Sequence, residues 1–274
     1  MSDDAFKGFV DFHSHLMPAV DDGAEDVAQS LAALRMFGAQ GAAACITTPH
    51  FDASLTKLPG AFDVRMAAFD SAWATLTAAH AATPGLPRIE RGVEMMLDDP
   101  DPDLDDPRVR LAGGPFVLVE FPAMQLPPNA EWAMHNLRRA GWRPIIAHPE
   151  RYRNHDGRLS TLQRCRAAGA HLQVNAGSFL GQHGDRARTV ANVLLQQGWI
   201  DYLASDHHAR GEPATGKVAT LLIKRGAEQQ VRRLTVENPS RILAGEGPLP
   251  VAPLEAAKAR PWWARLLGRI AGEG

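Results

Sequence analysis

Cysteine is nearly absent. Cys45 and Cys165 are the only two in 274 residues, and their spacing fits neither a metal site nor a redox motif. A disulfide framework and a cysteine-built zinc site are therefore disfavoured, and a reducing cytoplasm is the expected compartment. Charge of one sign is also missing. Lys and Arg total 29 against 31 Asp and Glu, a net charge of −2, so neither a nucleic-acid partner nor an acidic disordered tail is indicated. No window approaches the roughly 18 uninterrupted apolar residues of a membrane-spanning helix. The opening MSDDAFKGFV carries acids where a signal peptide needs positive charge. A Ser/Gly linker and a fixed-period repeat are absent too, so one domain is expected.

What is present is alternation. Short, near-continuous apolar runs alternate with longer helix-like stretches, the signature of βα units around a parallel sheet covered on both faces. Seven strands are expected, at 9–15, 44–50, 88–95, 116–121, 144–148, 171–175 and 201–206. Val27, Leu31 and Leu34 recur at i, i+4 and i+7 and predict a helix with one buried face, closed near Gly38 and Gly41. Further helices are expected at about 60–80, 129–140, 158–168, 186–198 and 215–230. The acidic, Pro-interrupted stretch 98–107 lacks the central Gly and terminal Glu of a calcium loop and reads as a solvated crossover.

The strand ends carry the chemistry. They finish in His13 and His15, His50, Glu94, Glu120, His148, and Asp206 with His207 and His208. In a parallel βα barrel these ends meet on one face. His13 and His15, two apart on a strand, point to the same side and can share a cation. Glu120 follows Val117-Leu118-Val119, where an unpaired charge would cost several kcal/mol, so a cation is expected nearby. Asp21 and Asp22 precede Gly23; one is expected to return to the site and the other to cap the helix starting near Glu25, and the residues alone do not choose between them. His80, His135, His155 and His171 fall away from the ligand-bearing ends. His183 lies on the catalytic face, where its ordinary role is that of a loop residue.

Several strings together carry a resemblance: His13-Ser14-His15 with Val20-Asp21-Asp22-Gly23, Thr47-Thr48-Pro49-His50, Gly92-Val93-Glu94, Val119-Glu120-Phe121, Ala147-His148-Pro149-Glu150-Arg151-Tyr152 and Ala204-Ser205-Asp206-His207-His208. Over about residues 9–244 the chain resembles the polymerase and histidinol phosphatase (PHP) superfamily, and within it the bacterial manganese-dependent protein-tyrosine phosphatases of capsule and exopolysaccharide clusters. The resemblance implies that the single α/β domain, expected over residues 1–245, is a distorted seven-stranded βα barrel; the composition from about 246 to 274, Pro- and Ala-rich and then basic-aromatic, reads as a tail. It implies three divalent ions, manganese by preference: the first held by His13, His15, Glu94 and Asp206, the second by Glu94, Glu120 and His148, the third by Asp22, His50 and His208. Arg151 would hold the substrate phosphate. The family's usual Arg-Pro-Pro after the last His is replaced here by His208-Ala209-Arg210-Gly211-Glu212-Pro213, in which Arg210 is the candidate for a second phosphate contact.

The residue types suit a phosphate ester independently. Asp22, Glu94, Glu120 and Asp206 carry −4, three divalent ions would carry +6, and with Arg151 the site would stand at +3. A thiol mechanism is not indicated, because the sixth residue after Cys45 is Phe51 and after Cys165 is His171, where a Cys-x5-Arg signature needs Arg. The resemblance implies a phosphotyrosine protein as substrate, a membrane-associated tyrosine autokinase of polysaccharide export. Competing readings are another PHP phosphoesterase acting on histidinol phosphate or a small nucleotide, an amidohydrolase, or a non-catalytic metal-stabilised module that binds a kinase. In the tail, Trp262, Trp263, Leu266, Leu267 and Ile270 share a helical face beside Lys258, Arg260, Arg265 and Arg269. That composition suits weak contact with the inner membrane surface, against the plainer alternative of packing on the barrel.

Overall fold

Parallel pairing dominates the architecture of the computed structural model, which describes residues 6–156 and 158–254. Strands β1 (Phe9–Ser14), β2 (Ala42–Thr47) and β4 (Arg88–Arg91) form one sheet in the order β1-β2-β4. A second sheet runs β3 (His50–Asp52), β5 (Glu94–Met96), β6 (Phe116–Glu120), β7 (Arg143–Ala147), β8 (His171–Asn175) and β9 (Tyr202–Ala204), each parallel to the next. The two sheets meet where the chain beyond β9 joins β1. Ser14 and His207 form a parallel bridge, Asp206 N donates to His13 O at 2.9 Å, and His15 N donates to His207 O at 2.8 Å.

The expected second and third strands are each divided, β2 from β3 at Thr48-Pro49 and β4 from β5 at Gly92-Val93. Pro49 has no N–H to give a ladder. The neighbouring chain steps with it: Gly92 N donates to Thr47 O at 2.9 Å and Glu94 N to Pro49 O at 3.1 Å. Gly92 is required at that step, since a Cβ there would lie 3.0 Å from the Leu111 Cα and 3.1 Å from the Arg110 carbonyl oxygen. Beyond the breaks the register sets His50 opposite Glu94 and Met96 opposite Glu120.

Helices α1 (Val27–Ala39), α2 (Pro59–Ala81), α3 (Ala130–Arg139), α4 (Ser160–Ala167), α5 (Ala176–Phe179), α6 (Gly184–Gln196) and α7 (Thr215–Lys224) follow the strands. Phe12, Ile46, Leu118, Ile145, Tyr202 and Ala204 belong to one buried cluster, and a larger one includes Leu34, Phe37, Met134, Leu162, Leu194 and Leu222 from the helices. The result is a single-domain α/β fold. Helix α1 presents Ser30, Ala33, Leu34 and Phe37 to the core, leaving Val27 and Leu31 at the margin of the expected face. Small residues at 30 and 33 allow that side to approach most closely. Neither Asp21 nor Asp22 caps this helix; Asp26 does, accepting from Gln29 N at 2.8 Å.

The helix expected over 215–230 stops at Lys224. Gly226, at φ +85, turns the chain into α8 (Glu228–Arg232), a π turn and α9 (Asn238–Leu243). The following residues lie against this body: Leu249 N donates to Asn238 Oδ1 at 2.8 Å and Leu254 N to Leu195 O at 3.3 Å. The tail residues 255–274, including the Trp262 and Trp263 face, lie outside the described residues. Among the described residues no helix is long and apolar enough to cross a membrane.

Candidate metal centre

Parallel strands deliver their C-terminal ends to one mouth, and the expected residues converge there. His13, His15, Glu94 and Asp206 form the tightest set. His13 Nε2 lies 3.2 Å from Glu94 Oε2 and 3.3 Å from Asp206 Oδ1; His15 Nε2 lies 3.5 and 3.3 Å from the same two oxygens. All four of these atoms are buried and make no hydrogen bond. Buried polar atoms are almost always satisfied, so four orphans facing one point indicate a missing partner. Their separations are the edges of a polyhedron whose centre would lie about 2 Å from each atom, a nitrogen or oxygen bond length for a transition-metal ion.

Two further sets adjoin it. His50, Glu94 and Glu120 converge, with His50 Nδ1 at 3.2 Å from Glu94 Oε2 and 3.5 Å from Glu120 Oε1. Asp22, His50, His208 and His15 form the other, with Asp22 Oδ1 at 3.4 Å from both His50 Nε2 and His208 Nε2. His148 borders the second set: its Nε2 lies 2.7 Å from Glu94 Oε1 and 3.8 Å from Glu120 Oε2. Glu94 thus faces histidines of more than one set.

Protonation follows from this crowding. Burial opposes charge on His50, yet the neighbouring carboxylates of Glu120 and Glu94 push it up to about 10. Burial likewise opposes charge on His15, and contacts with Asp206, Asp21 and Glu94 raise it well above the usual imidazole range. Glu94 is driven the other way, held well below the ordinary carboxylate range by His13 despite complete burial. These shifts describe carboxylates drawing protons onto imidazoles, and a bound cation would take the protons' place.

A supporting layer fixes the rings. Asp21 Oδ2 lies 2.7 Å from His15 Nδ1, and Gln173 Oε1 lies 2.9 Å from His13 Nδ1. Asn175 donates to Asp206 Oδ2 at 2.6 Å. Buried Asp11 accepts from Ser205 N at 2.9 Å and ties the middle of β1 to the residue that follows β9. Gln173 and Asn175 were not expected; their period-two spacing on β8, the strand without an expected ligand, was the available signal. Gly23 lets the loop pass under His15, whose carbonyl oxygen a Cβ would approach to 2.2 Å.

Arg151 enters the mouth from the turn Pro149–Arg151, which begins at His148 with φ +33. Its Nη1 donates to Asp206 Oδ2 at 2.7 Å. Arg210 is exposed and donates to Asp22 O at 2.8 Å, at the edge of the same mouth. His80 and His155 meet the backbone oxygens of Pro87 and Pro149. His171 begins β8, at the opposite end from the mouth.

Comparison with known proteins agrees with this geometry. Residues 9–244 match the model of the family described as capsular polysaccharide synthesis, CpsB/CapC. Tyrosine-protein phosphatase YwqE of Bacillus subtilis is 33% identical over 201 residues, covering 73% of this chain and 77% of that protein. Tyrosine-protein phosphatase CpsB of Streptococcus pneumoniae is 24% identical over 247 residues, covering 85% and 98%. A solved structure from work on YwqE and CpsB, described there as unique metal-dependent tyrosine phosphatases, superposes with a TM-score of 0.72 at 24% identity, over 90% of this chain and 100% of that one. The strand-end residues thus sit within a match spanning nearly all the described fold, and the chain belongs to the CpsB/CapC family of capsular polysaccharide synthesis.

Proposed function

We propose that this chain is a metal-dependent protein-tyrosine phosphatase that hydrolyses phosphotyrosine on a membrane-associated tyrosine autokinase of polysaccharide export, working at the cytoplasmic side. Its fold is then a distorted seven-stranded βα barrel, with each divided strand counted as one position. The observation that carries this is the set of four buried orphan atoms on His13, His15, Glu94 and Asp206. The relatives' names supply the phosphotyrosine substrate.

The donor set is imidazole and carboxylate throughout, which suits manganese and related divalent ions. His13, His15, Glu94 and Asp206 would hold one ion; Glu94, Glu120 and His148, with His50 beside them, a second; Asp22, His50 and His208 a third. Such ions lower the pKa of a bound water from about 15.7 toward 7 and offset negative charge on a phosphoryl group. Asp21 and Gln173 fix the ring orientations of His15 and His13, so the metal-facing atom is Nε2 in both. Arg151 brings a planar donor fork beside the cluster, suited to paired contacts with phosphate oxygens. Asn175 keeps Asp206 Oδ2 bonded when Arg151 turns to substrate. Arg210 would close the outer edge.

The test is a side-by-side assay of manganese-loaded protein on a phosphotyrosine peptide, histidinol phosphate and nucleoside monophosphates, with metal content measured. Preference for the peptide, lost on chelation and regained with manganese, is the expected result. Full activity without metal, or preference for histidinol phosphate, would overturn it.

A further inference from the structure

We infer that His183 donates a proton to the phenolic oxygen leaving phosphotyrosine, held in place by a buried hydrogen-bond chain through Ser178 to Glu150. The inference rests on the proposed phosphotyrosine hydrolysis and assigns one step of it.

The chain of contacts is short and directional. Ser178 Oγ donates to Glu150 Oε1 at 2.6 Å, and His183 Nδ1 lies 2.9 Å from the same Oγ. Glu150 and Ser178 are buried, at 1% and 0% exposure, whereas His183 is exposed. With its only proton given to Glu150, Ser178 can only accept from the ring. Nδ1–H is therefore the donor to Ser178, which leaves Nε2 outside that chain and free to act on a substrate.

The local backbone aims the ring. His183 sits between Gly181 at φ +80 and Gly184 at φ +86, in the tight connection from α5 to α6. Gly177 makes the packing possible, since a Cβ there would meet Gln182 Oε1 at 2.1 Å and His183 Cε1 at 3.4 Å. Helix α5 continues directly from Asn175, which bonds Asp206, so the His183 loop is anchored to the centre. The charged and titratable groups acting on the ring are Arg151, Asp206, His148 and His208, with Glu150 behind Ser178.

The chemistry needs such a group. A tyrosine phenol has a pKa near 10, so its phenolate is a poor leaving group at neutral pH. Desolvation of the ring by the groups packed around it, with Arg151 adding repulsion, pushes it down to about 4 in the free protein although the residue keeps an exposed edge. A phosphate dianion on Arg151 cancels that repulsion and adds negative charge, which favours a proton on Nε2. In the step, water oxygen bonds to phosphorus as the P–O(aryl) bond breaks. Its electron pair goes to the phenolic oxygen, which takes the His183 proton; the proton lost by water returns to the ring through solvent. Phenol and hydrogen phosphate are the products.

Leaving-group dependence separates this role from a structural one. The experiment compares parent, His183→Gln and Ser178→Ala, all manganese-loaded, on a phosphotyrosine peptide and on aryl phosphates of increasingly acidic phenols. A positioned general acid contributes about 100-fold or more. We expect His183→Gln to lose about 100-fold on phosphotyrosine and less than about threefold on the dinitrophenyl ester, which needs no proton, giving a steeper dependence on phenol pKa. Ser178→Ala should fall between, and metal content should match the parent in both variants. Equal losses on all esters, or no loss on phosphotyrosine, would overturn the role of His183 while leaving the phosphatase function intact. A parent inactive on every aryl phosphate would overturn both.

Discussion

Arg151 donates to Asp206 at 2.7 Å, so the cation proposed to receive substrate phosphate is paired with a carboxylate whose other oxygen faces His13 and His15. Asp206 itself stands at φ +53, a left-handed conformation that a non-glycine residue adopts at some energetic cost. The two groups come from opposite sides of β8, from the turn after β7 and from the end of β9. The proposed phosphate binding and metal retention would meet at Asp206 and can still be separated.

Arg151→Ala should therefore leave metal content unchanged, because guanidinium ligates no cation and Asn175 still bonds Asp206. Turnover should suffer, with kcat/KM on a phosphotyrosine peptide falling about 100-fold or more. Metal analysis beside steady-state kinetics checks both parts. A loss of metal with the substitution would show that Arg151 acts mainly by holding Asp206.

His15→Ala makes the opposite prediction. It removes one of the four orphan atoms, so manganese should bind far more weakly and activity should be lost with it. Ligand binding stabilises a fold by about 4 kcal/mol at a thousandfold excess over Kd. The parent's Tm should accordingly rise several degrees on adding manganese, while the variant's should stay nearly still. Scanning calorimetry with and without chelator measures this, and equal shifts would remove His15 from the ligand set.

Much of this centre was legible in the sequence because most candidate ligands lie at or near a strand end inside a contiguous string, such as Gly92-Val93-Glu94 or Ala147-His148-Pro149. Period-two geometry put His13 and His15 together without further information. Less was legible where partners lie far apart in the chain. Gln173 meets His13 across 160 residues, and its period-two spacing with Asn175 marks a shared strand face without naming the partner. The divided strands escaped detection because apolar content continues across Thr48-Pro49 and Gly92-Val93 while the ladder does not. The cap of α1 was displaced to Asp26 because Asp21 is engaged with His15, His50 and Gly23.

Asp21 deserves its own test for that reason. Its Oδ2 meets His15 Nδ1 at 2.7 Å and accepts from His50 N at 3.2 Å, so it orients two candidate ligands without facing the cation itself. Asp21→Asn keeps the shape and removes the charge. Loss of such a supporting contact typically lowers metal affinity 10- to 100-fold. Manganese titration should show that weakening, with activity restored at high metal concentration. Activity that stays low at saturating manganese would place Asp21 in direct contact with metal or substrate.

The end of the fold remote from the mouth predicts a pH effect independent of metal. Burial, together with Arg138, Arg143 and Arg166, pushes His171 down to about 4. Burial pushes the nearby Asp201 up to about 6, its Oδ2 lying 3.9 Å from His171 Nδ1. For His171 the unfolded chain binds the proton more tightly, so acidification from the ordinary imidazole pKa of about 6.5 toward 4 favours unfolding. For Asp201 the native state binds the proton more tightly, so acidification through 6 favours folding. The two slopes oppose one another over the same window. His171→Gln removes the destabilising one and leaves the other, so the variant should gain about 1–3 kcal/mol on the parent between pH 7 and pH 4.5. Urea unfolding of both proteins, with chelator present throughout to exclude metal loss, gives the difference at each pH. A difference that does not change with pH would mean that His171 titrates normally in the folded protein.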